Sequence, residues 1–151
     1  MKRAIVLGFI GLMMLMVISG CGKKYTYDFS VENHEWVFSN ALDSEAGVVI
    51  GCSEAEKENY PEAEVMDLTC EASDYVMVLG DGNGNSYEVS YRLKTKNLNA
   101  KIYDLVYEND EGKISGTALS SVTEYYRGKF EYTMIIDLCG YALYFTEKID
   151  E

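Results

Sequence analysis

Apolar and polar residues alternate with period two along most of the chain, the signature of strands with one buried and one wet face. Tyr25, Tyr27, Phe29 and Val31 alternate with Thr26, Asp28, Ser30 and Glu32. Tyr87, Val89, Tyr91 and Leu93 alternate with Ser86, Glu88, Ser90 and Arg92. Phe130, Tyr132, Met134 and Ile136 alternate with polar residues except at Ile135, and Tyr141, Leu143 and Phe145 share a face. Further strands are expected over 35–39, 47–52, 65–70, 75–79, 101–108 and 113–119, which makes about ten short strands. Asn109-Asp110-Glu111-Gly112 reads as a hairpin loop and Cys139-Gly140 as a tight connection. A short acidic helix is expected over 53–60, behind a serine start, and another turn of helix over 120–126. Many short strands joined by short turns predict an all-β domain over 25–151, either an antiparallel up-and-down β-barrel or a β-sandwich.

The first twenty residues break this rhythm. Lys2 and Arg3 precede an uncharged, apolar run from Ala4 to Ile18, and Ser19 and Gly20 lead into Cys21. A basic start, an apolar middle and a small-residue end is the layout of a secretory signal, too short to span a bilayer. Ile18-Ser19-Gly20-Cys21 resembles the lipobox of bacterial lipoproteins. That resemblance implies cleavage before Cys21, a diacylglyceryl group on its thiol, and residence on the outer side of a cell membrane. Residues 1–20 would be the signal peptide and 21–24 the lipidated cysteine and its basic tether. More than one acyl chain gives stable anchoring at about 0.8 kcal/mol per buried CH₂. The alternative is an uncleaved N-terminal helix, or a cut elsewhere that leaves Cys21 a plain thiol.

Composition narrows the partners. The formal charge of −12 becomes −14 once Lys2 and Arg3 leave with the signal, which disfavours nucleic acid. It suits solubility, or a basic envelope protein as partner. Thirteen tyrosines and a single proline fit pleated, half-buried surfaces. Trp36 near the first strands, followed by a meander, resembles a lipocalin-type barrel, which implies an interior able to hold a ligand.

Chemistry-bearing residues are sparse. Lipidation of Cys21 leaves Cys52, Cys70 and Cys139. Strand alternation makes Cys52–Cys70 the best disulfide pairing, against three reduced thiols as the alternative. There is no Cys-x-x-Cys, and one histidine, His34, cannot complete a zinc site by itself, so no metal or cofactor is expected. In "GDGNGNS" (80–86), Asp81, Asn83 and Asn85 mimic the start of a calcium loop. Ser86 and Arg92 then stand where glycine and glutamate belong, so a hairpin tip is expected. Glu54, Glu56, Glu58, Glu62 and Glu64 read as a solvated loop. No Gly-x-Ser-x-Gly or phosphate loop occurs, and the chain is read as non-catalytic. Two functional readings stay open. One is a binding module for a small apolar or amphipathic ligand, lined by Trp36, Phe38, Tyr87, Tyr91, Tyr132 and Tyr144. The other is an interaction or inhibitor protein acting through its acidic surface. In either case the aromatic residues could simply fill the core.

Overall fold

Strand formation follows the alternation. The computed structural model describes residues 30–148; the expected signal segment, Cys21, its expected tether and the start of the first expected strand lie outside the described residues. Ten strands form one mostly antiparallel sheet, curled into a half-barrel. They are β1 (Trp36–Asp43), β2 (Val48–Cys52), β3 (Glu64–Val65), β4 (Thr69–Ser73) and β5 (Val76–Gly80), then β6 (Ser86–Lys96), β7 (Ala100–Asn109), β8 (Gly112–Tyr126), β9 (Lys129–Leu138) and β10 (Tyr141–Glu147). The spatial order is β3-β2-β1-β10-β9-β8-β7-β6-β5-β4. β4 to β10 are a pure meander. The chain then closes its ends on one another, because β1 pairs antiparallel with β10, Phe38 opposite Phe145.

The sheet edges, β3 and β4, are consecutive in sequence and joined by residues 66–68. The single strand expected over 65–70 is therefore two strands. Met66 lies over Gly51, so close that a Cβ there would meet its Sδ at 2.2 Å, and the Asp67 carbonyl lies over Gly82, 2.6 Å from where a Cβ would be. At Gly82 the obstacle is backbone, so that glycine must stay bare, whereas at Gly51 it is the flexible Met66 side chain, which can swing aside. The turn of helix expected over 120–126 is instead the end of the 15-residue β8, where Ala118, Ser120 and Val122 alternate inward at 0%, 0% and 5% exposure. Val31, expected in a strand, sits in a short 3₁₀ turn (Val31–Asn33), and the acidic helix over 53–60 is only a 3₁₀ turn (Glu54–Glu56).

The concave face holds the core: Trp36, Phe38, Cys70, Met77, Val89, Tyr91, Tyr103, Leu105, Ala118, Met134, Ile136 and Phe145 pack together. Residues 53–63 cross the opposite, outer face. Beneath them Asn40, Cys52 and Tyr144 are cross-strand partners on that outer face, and Cys52 and Ala63 are 0% and 3% exposed. Lys57 holds this strap together by donating to the carbonyls of Pro61 and Ala63. Cys52 thus lies on the outer face and Cys70 in the inner core. The possible Cys52–Cys70 bridge is not formed, and the alternative of three reduced thiols is what the structure has: Cys52 and Cys70 are free and buried, and Cys139 is free and exposed.

Among the described residues no helix is long and apolar enough to cross a membrane.

Candidate functional site

The meander gives the half-barrel two distinct ends. Turns 74–75, 97–99 and 127–128 lie at the end where Ser30 enters and β10 finishes. Turns 44–47, 81–85, 110–111 and 139–140 lie at the other.

The first end is plugged. Val31 is buried at 1% exposure, and its carbonyl accepts from Trp36 Nε1 at 2.8 Å. The Tyr91 hydroxyl donates to the Glu32 carboxylate. Burial first, then this carboxylate, raises the Tyr91 hydroxyl above the ordinary tyrosine range. His34 lies between Trp36 and Tyr132, ring centres 5.3 and 4.6 Å away. Its Nδ1 is 2.6 Å from Glu147 Oε1, and its side chain is 6% exposed. The His34 ring is flanked by aromatic rings while Glu147 stays 29% exposed, and neither recess described below is lined by the pair. A part-buried polar pair so placed fixes how the chain enters the sheet.

The second end is open. A recess of about 180 Å³ lies there, lined by Leu68, Thr69, Leu79, Gly80, Asp81, Tyr87, Leu143 and Phe145. Register explains the grouping: Leu79 faces Tyr87 across β5–β6, and Thr69 faces Gly80 across β4–β5. Tyr87 stacks edge-on against Tyr107 at 6.2 Å, and Phe145 is backed by Phe38 at 5.7 Å. Tyr87 and Tyr141 remain 42% and 45% exposed, so the inward face stays open at this end. The rim is acidic. The Asp81 carboxylate accepts from the Asn83 and Asn85 amides and from the Asn85 side chain, and these hydrogen bonds hold it below the usual carboxylate range. Its oxygens organise the 81–85 hairpin tip. Among the described residues no group of three or more His, Cys, Asp or Glu is placed to hold a metal ion.

A second, shallower groove of about 460 Å³ runs over the outer face and is polar: Lys94, Asp104, Ser115, Gly116, Thr117, Asp137, Leu138, Cys139 and Gly140. Lys94 and Asp104 pair across it at 3.0 Å.

Of the six aromatic residues expected to line a ligand cavity, only Tyr87 does. Trp36, Phe38 and Tyr91 point inward as expected, but at 5–6% exposure they are packed core. Tyr132 is spent on His34. Tyr144 faces the outer side, under the 53–63 strap, where burial first, then Asp137 and Tyr60, raises its hydroxyl. The pattern that put Tyr141, Leu143 and Phe145 on one face had already excluded Tyr144 from it. Leu68, Leu79 and Leu143 form the aliphatic walls; alternation marks such leucines as inward but does not distinguish lining from packed core.

Comparison with family models, curated proteins and solved structures finds no match to this chain. The fold and the open end define a curled antiparallel β half-barrel with one plugged and one open end.

Proposed function

We propose that this chain is a lipid-anchored extracytoplasmic protein, tethered through Cys21 to the outer side of a cell membrane, that acts as a non-catalytic binding module. Its ligand is a small apolar group, or the apolar end of an amphipathic molecule. The observation that carries this reading is the apolar recess at the open end. A cavity of about 150 Å³ holds a benzene-sized ring, whereas whole drug-sized ligands need about 300 Å³ or more. The recess therefore suits one ring or one short alkyl end. The lipocalin-like reading belongs to the same proposal, supported by the meander, the β1–β10 pairing and Trp36 beside the plugged end.

The rim selects the head group. Asp43, Glu45, Asp81, Asp110 and Glu111 all lie in or beside the turns of the open end, and no Lys or Arg lies in those turns. A cationic head is favoured over an anionic one. The same rim supports a second reading, a basic envelope protein that places one apolar side chain in the recess. Its binding would weaken with salt.

Titration of the chain with hexylammonium and with hexanoate, followed by NMR, tests the proposal. Shifts at Leu68, Leu79, Leu143 and Phe145, stronger for hexylammonium and reduced roughly three- to tenfold in affinity by Tyr87→Ala, are expected. No shift at these residues with either compound would remove the small-ligand reading.

A further inference from the structure

The two ends differ in charge and in exposed apolar surface, and the plugged end carries a feature that the binding reading does not use. Tyr75 and Leu98, at the tips of the 74–75 and 97–99 turns, are 72% and 85% exposed, more than any other large hydrophobic residue among those described. Both lie at the end where Ser30 enters. Tyr75 touches the core only by a tilted ring contact with Tyr91 at 6.3 Å, and Leu98 projects from between Asn97 and Asn99, whose backbones are tied to Ala100 and Val122. Folding gains nothing from exposing a leucine this far at a turn that any polar residue could occupy.

The charges around these tips match. Lys96 precedes the Leu98 turn, and Arg127 and Lys129 flank Gly128 at the third tip; all three are exposed. Of the carboxylates nearby, Glu147 pairs with His34 and Glu35 with Lys148 at 2.8 Å, both basic side chains. Glu32 accepts from the Tyr91 hydroxyl and Glu124 from the Gly128 amide at 2.8 Å, neutral donors that do not offset a charge, and Glu131 is exposed. Asp74 is the one carboxylate in the three turns themselves. At the opposite end the charges in or beside the turns are acidic except Lys113, which pairs with Glu108 at 3.3 Å.

We infer that the tips carrying Tyr75, Leu98, Lys96, Arg127 and Lys129 form a docking face for an anionic lipid surface. This inference rests on the anchored reading and adds to it an orientation. Eight residues separate Cys21 from Ser30, a reach of about 30 Å. The ten residues of β7 add about 33 Å between the ends. The tether therefore brings the plugged end to the bilayer first. Apolar tips entering the headgroup layer beside cations is the chemistry of interfacial binding, and each Lys or Arg near an anionic leaflet strengthens contact roughly fivefold. The acidic open end is repelled by the same surface, so the recess faces away from the membrane.

The test uses the full lipidated chain in vesicles of phosphatidylcholine with or without phosphatidylglycerol. Leu98→Trp places an indole at the tip without touching the core, and the native Trp36 is buried. The expected result is quenching of the position-98 indole by lipids brominated in their acyl chains, with protection from aqueous iodide, both stronger with phosphatidylglycerol. Adding Arg127→Ser and Lys129→Ser should weaken this contact roughly thirtyfold. An indole open to iodide and untouched by bromolipid, in a chain whose Cys21 carries acyl mass, would overturn the docking face and leave the anchor intact. Protection from iodide without bromolipid quenching would overturn it in favour of a protein surface. Absence of acyl mass on Cys21, with the chain in the soluble fraction, would overturn the anchored reading itself.

Discussion

Cysteine and tyrosine side chains record which side of the sheet each residue occupies. Cys70, in the inner core, is pushed up to about 12 by burial first and by Glu71 second, against an ordinary value of 9.0. An inert thiol results, because the thiolate is the reactive form. Native-state alkylation should therefore modify Cys139 alone among the three domain thiols, with Cys52 and Cys70 reacting only after denaturation. Labelling of Cys52 in the folded chain would contradict the cover that residues 53–63 provide. The same burial sets the alkaline limit of the fold. A group whose folded value is raised contributes stability that is fully present below its unfolded value and lost as pH rises above it. Stability should hold up to about pH 9 and fall between pH 9 and 12. Tyr91 and Tyr144, also raised, join the decline above about pH 10. Cys70→Val should flatten the first part of that decline in denaturant titrations at successive pH values. Side-chain direction was legible wherever alternation was unbroken, as at Tyr87 and Phe145. What escaped was whether an inward residue meets empty space or other side chains, since neighbours supplied by distant strands decide that.

Element by element, the hairpin meander could be read directly, because period-two runs and Asn, Asp and Gly turns mark it locally. The seam could not. Met66, Leu68 and Cys70 alternate as one strand would, yet the chain leaves the sheet at Met66 and returns at Thr69, because the edges of the curled sheet meet there. The bare backbone of Gly82 makes room for the crossing under the Asp67 carbonyl, and a glycine's neighbours are not visible in sequence. Gly82 also has φ +75°, a conformation that favours glycine. Gly82→Ala should cost about 1–3 kcal/mol, with faster hydrogen exchange confined to β4 and β5. Gly116 tests the opposite side of the sheet. A Cβ there would lie 2.4 Å from the Asp137 carbonyl and 2.7 Å from Leu138 Cδ1, so Gly116→Ala should separate β8 from β9 at a similar cost. If chemical denaturation gave both variants wild-type midpoints, the close approaches would not be structural constraints. The end of β8 was misread for a different reason. Ser120, Ser121 and Glu124 dilute a run in which Val122, Thr123, Tyr125 and Tyr126 favour a strand, and pairing with β9, Ser120 opposite Met134 and Val122 opposite Tyr132, carries the strand through it.

Across the whole molecule, polarity between the two ends organises the account. One end is sealed by Val31, Trp36, His34–Glu147 and Glu32–Tyr91, and carries cations with two exposed apolar tips. The other is rimmed by carboxylates around an apolar recess. Composition announced the acidity but could not distribute it, because the topology decides which turns share an end. A consequence is separability. Tyr87→Ala should reduce hexylammonium binding and leave bromolipid quenching of the Leu98→Trp chain unchanged, while Arg127→Ser with Lys129→Ser should do the reverse. Loss of both properties in either variant, with the fold intact by circular dichroism, would mean that the ends are not independent surfaces. The central claim, that the open end receives an apolar group, is tested most directly by an experimental structure of the chain soaked with toluene. The account predicts a ring between Leu68, Leu79, Tyr87, Leu143 and Phe145, with the backbone of β4, β5 and β10 unmoved. A recess closed by the protein's own side chains, with toluene absent from it, would contradict the claim and move function to the acidic surface.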